Sequence, residues 1–459
     1  MGDEALQANG GAVEETEVVV IGGGPGGSTT AARLAQLGRR AIVLERARFP
    51  RFHIGESLLP CSLPVLRTLG VHEAIDRTFI RKYSARFLDD DAGVDGPDAM
   101  ARYQFDEAFP PSLPYAWQVS RDGFDALLLD NAARLGAEVR QGWRVRRALM
   151  EGPAVVGVVA DDPSGVSRTI RARVVVDATG RESLLTGASA KAGSHQRITG
   201  LDKTAIFTHV RGGHRNQGID EGQIEIVILA GANEDRSNPG WAWFIPFKDG
   251  RSSVGFVLSS EALRGRVRDA GALIARGGPS PREYEGRSPE QVARLDAVFR
   301  QEVERSPWMR KLIGDAPYVG EVRAAADYSF RVERLAGDGW LAVGDSTGFL
   351  DPLFSTGANL AIVGGDRAAT AIDAALAQGD VSAARFEDYA RSIRAAQDLF
   401  LGAVQSFYRG DLRGLLFAKD QRSTLRKTIT SMLAGDVFHD PVKPALWASY
   451  FRERFPVAP

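Results

Sequence analysis

A glycine-rich turn between a β-branched run and a helical pattern constrains this 459-residue chain more than any other feature. Glu17 to Ile21 reads E-V-V-V-I, and Gly22-Gly23-Gly24-Pro25-Gly26-Gly27 satisfies G-x-G-x-x-G. Ser28 to Leu37 then spaces Ala31, Ala32, Leu34, Ala35 and Leu37 along one helix face. Gly38 ends that helix, and Ala41 to Leu44 supplies a second apolar strand. In such a βαβ unit Gly22 permits the tight turn, Gly24 lets the backbone approach a pyrophosphate, and Gly27 lets helix and strand pack closely. Pro25 belongs to the same phosphate-facing turn, where the helix N-terminus offers free N–H groups and a positive dipole end. Glu45 lies 18 residues past Gly27, where an acid accepts hydrogen bonds from a ribose diol. The unit predicts a dinucleotide site; a plain glycine turn would leave Glu45 without a role.

The remaining pattern predicts an α/β chain: a doubly wound, Rossmann-like fold with an antiparallel substrate layer and a helical C-terminal region. Residues 1–16 are small, polar and acidic, lack the basic and apolar regions of a signal peptide, and read as a disordered tail. Residues 17–385 form the nucleotide-binding core. Within it come a helix from Phe124 to Leu135, strands at Glu138 to Arg140 and Ala154 to Ala160, and the run Val174-Val175-Val176. Alternating strands at Gln223 to Leu229 and Ser252 to Val257 predict the antiparallel layer, about 203–330. A charged, Pro-containing stretch spans 277–290, a buried strand returns at Trp340 to Val343, and 386–459 reads as mostly helical.

Lys and Arg number 57 against 58 Asp and Glu, so no global field holds a polyanion, and nucleic acid is not an expected partner. No run approaches the about 18 apolar residues of a spanning helix, which argues against a membrane. The single Cys61 forms no internal disulfide or zinc site and fits a reducing, cytoplasmic setting. It reads as a small buried hydrophobe. The six histidines (53, 72, 195, 209, 214, 439) show no metal-binding spacing, so no metal is expected. His53 is either near the cofactor or a turn stabiliser. Asp89-Asp90-Asp91 reads as a solvated turn.

Two later segments, Val176-Asp177-Ala178-Thr179-Gly180 and Val343-Gly344-Asp345-Ser346-Thr347-Gly348, each end a strand in Asp and glycine. Both resemble the later fingerprints of FAD enzymes of the aromatic hydroxylase superfamily, in which the residue matching Asp345 contacts the sugar and pyrophosphate. Arg121 matches a position that often contacts FAD there. With no second G-x-G-x-x-G for a nicotinamide cofactor, one dinucleotide, FAD, is expected.

Trp241-Ala242-Trp243-Phe244-Ile245-Pro246 reads W-x-W-x-I-P and puts two indoles on one face of a strand. Phe52-His53-Ile54-Gly55-Glu56-Ser57-Leu58-Leu59-Pro60 and Arg81-Lys82-Tyr83 precede it, and Asp351-Pro352-Leu353-Phe354-Ser355-Thr356-Gly357 follows. In order and spacing these segments resemble the flavin-dependent halogenases from about Glu17 to Gly365, with a weaker match at Gly435-Asp436-Val437. The resemblance implies that reduced FAD, O2 and chloride or bromide give hypohalous acid, which a lysine matching Lys82 delivers to an electron-rich aromatic ring. It implies that Trp241 and Trp243 separate organic substrate from flavin, that Pro352, Gly357 and Ala358 lie at the flavin, and that Thr356 and Gly357 bind halide. Because no nicotinamide fingerprint is present, a separate flavin reductase is expected to supply FADH2.

Halogenases of free tryptophan carry a glutamate where this chain has Phe354, so the resemblance is to the phenol and pyrrole branch, which often takes carrier-tethered substrates. Glu56 is the candidate proton acceptor; its alternative role is a hydrogen bond to the loop backbone. Arg409, Arg413, Lys419, Arg422, Arg426 and Lys427 outnumber Asp411 and Asp420 and form a candidate docking face for an acyl or peptidyl carrier protein, or an ordinary solvated helix face. The competing readings are an aromatic monooxygenase of the same fold and a flavin-binding module without turnover.

Overall fold

The computed structural model describes residues 13–110, 113–188, 195–230, 240–269, 288–326, 328–418 and 423–438. Its first sheet has the strand order Ala336–Gly337, Trp340–Ala342, Ser167–Asp177, Glu14–Ile21, Ala41–Glu45 and Glu138–Gln141, and the central pairs are parallel. Parallel strands covered on both faces need continuous apolar runs, and Val18 to Ile21 and Ala41 to Leu44 are all buried. A hairpin of Arg144–Glu151 and Ala154–Asp161, of which the sequence pattern marks only the second strand, extends this sheet from Ser167–Asp177. Helices Pro25–Gln36, Arg121–Leu135 and Thr356–Gln378 share its main core cluster. The second starts at Arg121, three residues earlier than the Phe124 that its apolar spacing predicts, because its first turn carries the buried Arg121.

The first strand begins at Glu14, inside the stretch expected to be a tail, because Glu14 to Thr16 pair with Ile170 to Ala172. Residues 1–12 lie outside the described residues, as do 277–287 of the charged stretch and 439–459 of the C-terminal region.

The second sheet has seven strands in the order Tyr318–Ala326, Lys203–Arg211, Arg251–Ser259, Trp241–Pro246, Ile224–Ile228, Ser84–Asp89 and Met100–Gln104. It is the expected layer with two corrections. Ser84–Asp89 and Met100–Gln104 come from ahead of it, and Ser84–Asp89 pairs with Ile224–Ile228 in parallel. Side chains alternate across the sheet: Ala242 and Phe244 meet Phe299 and Trp308 on one face, while Trp241, Trp243 and Ile245 face the other. That second face is closed by the helices Glu387–Tyr408, Asp411–Leu416 and Ser423–Leu433 through Phe400, Phe407, Leu416 and Met432. The C-terminal helices therefore share the core of the substrate layer.

The acidic triplet is no solvated turn. Asp89 and Asp90 are buried: Arg413 Nε donates to Asp89 Oδ2 at 3.0 Å, and Asp90 Oδ1 accepts from the Trp308 N–H at 3.1 Å. The basic docking face changes for the same reason. Arg413 also meets Asp91, Arg409 pairs with Asp411, and Arg426 pairs with Glu107, so three of its charges are neutralised within the chain. Lys419, Asp420 and Arg422 lie outside the described residues.

Candidate active site

A cavity of about 880 Å3 opens between the two sheets, lined from the glycine turn at one end to Trp241 and Trp243 at the other. At the turn Gly22 has φ +104°, and a Cβ there would stand 2.3 Å from Ala178 O. At Gly27 a Cβ would stand 1.9 Å from Gly22 O, so helix and strand approach too closely for any side chain. Around Gly24, by contrast, a Cβ would meet only Arg51 Nη2, at 3.6 Å, which leaves this backbone open to a ligand. Gly24 also caps the helix Pro25–Gln36 without a side-chain bond, and no acid stands in its first turn. Its N–H groups and dipole are available to an anion. Glu45, at the end of its strand, is held by the Gly23 N–H at 2.6 Å and the Ala47 N–H at 2.7 Å, and still lines the cavity.

Seven arginines and four carboxylates line this space, a surplus that suits a pyrophosphate. Arg121 is one of them, buried, with Nε 2.7 Å from Asp125 Oδ1 and Nη1 donating to Ile54 O at 2.8 Å. Asp125 also meets Arg51 at 3.2 Å, and the two guanidiniums outweigh its burial and hold its carboxyl below the usual range. His53 lines the cavity with Nδ1 2.6 Å from Ile54 O; burial, Arg121 and Arg51 push its pKa down to about 3, so it is neutral. Asp345 lines the cavity, and burial raises its carboxyl against the pull of Arg181 and Arg121. Asp177 differs from it. Its carboxylate accepts from Thr179 Oγ1 at 2.6 Å and from the Leu185 N–H at 2.6 Å, so it holds its own turn while Ala178, Thr179 and Gly180 face the cavity.

Trp241 and Trp243 are buried, with ring centroids 5.7 Å apart at 45°. Trp243 Nε1 donates to Ser253 Oγ at 3.0 Å. Gly255 opposite has no room for a side chain, since a Cβ would stand 2.3 Å from the Trp243 ring. Pro352, Thr356, Gly357 and Ala358 line the same cavity. Ser355, at φ +57°, precedes the 23-residue helix Thr356–Gln378 and makes no side-chain cap, which leaves the N–H groups of that first turn open. Phe354 is buried in the core cluster that contains both tryptophans.

Lys82 is not among the residues that line this cavity. It is 1% exposed on the short strand Ile80–Lys82, which pairs with Ala116–Gln118. Its Nζ donates to Ser57 Oγ at 2.9 Å and to Leu58 O at 3.0 Å, and lies 5.3 Å from the Phe105 ring centroid. Burial alone pushes its pKa down to about 7. A neutral amine has two N–H donors, both engaged here, and one lone pair left over. Ser57, which lines the cavity, links its wall to Lys82. Next to it Glu56 is buried on the cavity wall; Oε1 meets His209 Nε2 at 2.8 Å, and Oε2 has no hydrogen-bond partner. In place of the alternative role, a bond to the loop backbone, the Glu56 carboxylate meets a histidine.

Several contributors are not singled out by the sequence pattern. Ser57 sits inside the matched loop, and Asp125 follows Arg121 at i, i+4, a spacing that signals a helical ion pair. His209 is 153 residues from Glu56, and nothing local announces it. Among the described residues no group of His, Cys, Asp and Glu is arranged to hold a metal ion, and no helix is long and apolar enough to cross a membrane.

The profile of the tryptophan halogenase family matches residues 17–90 and 97–426. The chain is 31% identical over 345 residues to the 1H-pyrrole-2-carbonyl-(peptidyl-carrier protein) brominase of Pseudoalteromonas luteoviolacea, covering 75% of this chain and 73% of that one. It is equally 31% identical, over 390 residues, to the tryptophan 2-halogenase of Chondromyces crocatus, covering 83% and 66%. The structure of the flavin-dependent brominase Bmp2 superposes with a TM-score of 0.78 at 26% identity, over 96% of this chain and 98% of that one. Because the match runs through the glycine turn, the Lys82 strand, the tryptophan wall and the helices that close it, the chain belongs to the tryptophan halogenase family of flavin-dependent halogenases.

Proposed function

We propose that this protein is an FADH2-dependent halogenase of an electron-rich pyrrole or phenol, and that Lys82 hands the halogen to the ring. The observation that carries this reading is Lys82 itself: fully buried, with both donors of its neutral form engaged and no carboxylate in contact. The open glycine cradle and the arginine surplus suit FAD, held by Gly22, Gly24, Pro25, Gly27, Glu45, Arg121 and Asp345. Reduced FAD with O2 supplies the two-electron oxidation of halide to hypohalous acid, and a separate reductase renews it.

The chain's own groups do the rest. Backbone N–H groups at Thr356 and Gly357 hold chloride or bromide without a positive side chain. Trp241 and Trp243 keep the organic substrate away from the flavin and exclude water. Hypohalous acid and the neutral Lys82 amine form an N–halogen bond and release water. Transfer of that halogen to the ring carbon leaves nitrogen one proton short and the ring one proton over. Glu56, whose Oε2 is unpartnered, takes the ring proton and returns it, with His209 orienting its other oxygen. Phe354 itself offers no carboxylate for this role.

A carrier-tethered pyrrole is the first substrate to test, because a relative bearing that activity in its name matches three quarters of this chain. The experiment is mass spectrometry of products from protein, FAD, a flavin reductase, NADH, O2 and bromide, with free and carrier-tethered pyrroles and phenols, beside Lys82→Ala. Halogenated product from the parent and none from Lys82→Ala is the expected result. Product surviving in the variant removes Lys82 from the mechanism, and hydroxylated product without halogen overturns the halogenase reading in favour of a monooxygenase.

A further inference from the structure

A buried hydrogen-bonded chain ties the tryptophan wall to the C-terminal helix and to the loop ahead of the Thr356 helix. Trp241 Nε1 donates to Tyr408 Oη at 2.9 Å, and Tyr408 Oη donates to Asp351 Oδ2 at 2.9 Å. Asp351 Oδ1 accepts from the Leu353 N–H at 2.9 Å, which fixes the start of the loop Asp351–Ser355. Lys203 Nζ lies 3.8 Å from the centroid of the Tyr408 ring. All four side chains are at most 5% exposed.

The direction of this chain is set by chemistry. An indole N–H only donates, a phenol donates once and accepts, and a carboxylate only accepts. The order tryptophan, tyrosine, aspartate satisfies each, with Tyr408 accepting from Trp241 and donating to Asp351. Packing alone does not call for a phenol here, since the adjacent Phe407 fills the same core with an apolar ring. A buried polar link of this kind fixes geometry at a cost in desolvation.

We propose that Tyr408 is a positioning residue for halogenation: it holds the Trp241 indole in register with the loop that leads to the halide-facing turn, so that hypohalous acid is retained on its way to Lys82. This rests on the reading of Trp241 as a wall between compartments. Tyr408→Phe keeps the ring and its contacts but leaves Trp241 Nε1 and Asp351 Oδ2 without partners. The quantity to measure is the coupling ratio: halogenated product formed per reduced flavin consumed, with leaked hypohalous acid scored by a soluble β-diketone trap. Tyr408→Phe is expected to lower coupling about fivefold, the scale of one net hydrogen bond, with flavin affinity and reoxidation rate unchanged. In flavin-free protein the indole N–H signal of Trp241, identified by its loss in Trp241→Phe, is expected to exchange with solvent faster in Tyr408→Phe.

Trp241→Phe separates the two ideas. If it uncouples while Tyr408→Phe stays fully coupled, the role of Tyr408 is overturned and the wall stands. If neither uncouples, the wall falls and the inference falls with it. Equal losses of reoxidation and product in Tyr408→Phe would mean general loosening, which also overturns a positioning role.

Discussion

Lys82 and Lys203 are equally buried, each 1% exposed, but their surroundings differ in charge. Lys82 touches a hydroxyl, a carbonyl and a benzene ring, and desolvation alone pushes its pKa down to about 7. For Lys203, burial lowers the pKa to about 8 while Asp351 and Asp202 pull it back up. Burial pushes Asp351 up to about 6, and Lys203 opposes this. A lysine that shares its interior with carboxylates keeps its proton as part of an ionic, structural pairing. One that lacks them gives the proton up near neutral pH and exposes a nucleophilic lone pair.

The comparison breaks first on substitution by methionine, which keeps most of the volume of either side chain. Lys82→Met is expected to cut halogenated product by about 10^3-fold, within the span seen for loss of a catalytic group, while FAD still binds. Lys203→Met is expected to keep product within about tenfold of the parent, because it loses packing and charge balance near Tyr408 and no reacting atom. Product formation by mass spectrometry, beside flavin binding by absorbance, reads both. Equal losses in the two variants would erase the distinction.

Glu56→Gln is the next largest. Glutamine keeps the shape and the contact to His209 but accepts no proton at the free end, so turnover is expected to fall about 10^2-fold. His209→Asn, which only loosens the carboxylate, is expected to cost less. A ring-deuterated substrate sharpens the test: an isotope effect absent in the parent should appear in Glu56→Gln, once proton removal limits the rate.

The same contrast has a pH signature. Lys82 is protonated below about 7 and neutral above it, so the fraction of hypohalous acid ending in product is expected to rise about tenfold between pH 6 and pH 8. Lys203→Met should keep that limb. A flat or falling profile would mean that the ammonium form, donating a hydrogen bond, is the active one.

The two lysines also mark where sequence stops being informative. The glycine turn was legible because its three glycines answer local steric demands within a single βαβ unit. Trp241 and Trp243 were legible as one wall because a strand repeats every second residue. Lys82 was legible only through its neighbouring segments, since burial is a property of the packed sheet Ile80–Lys82 with Ala116–Gln118 and of Phe105. The pairing of Ser84–Asp89 with Ile224–Ile228 left no local pattern, and neither did Glu56 with His209 or Trp241 with Tyr408, which are 153 and 167 residues apart. Such contacts depend on chain crossings that periodicity does not encode.

The smallest expected effect extends the lesson from lysines to arginines. In sequence Arg409, Arg413 and Arg426 stand out as surplus charge, but each is matched in the fold by Asp411, by Asp89 and Asp91, or by Glu107. A cation already paired within its own chain must give up that pairing to meet an acidic carrier protein, and the exchange gains little. Arg409→Gln is therefore expected to change the KM for a carrier-tethered substrate by less than about twofold, the scale of an exposed pair. Arg413→Gln, which strips Asp89 of its partner in the core, should lower thermal stability with kcat unchanged. A large rise in KM for either variant at low salt, absent at high salt, would restore this face as the docking surface and limit the rule drawn from the two lysines to the interior.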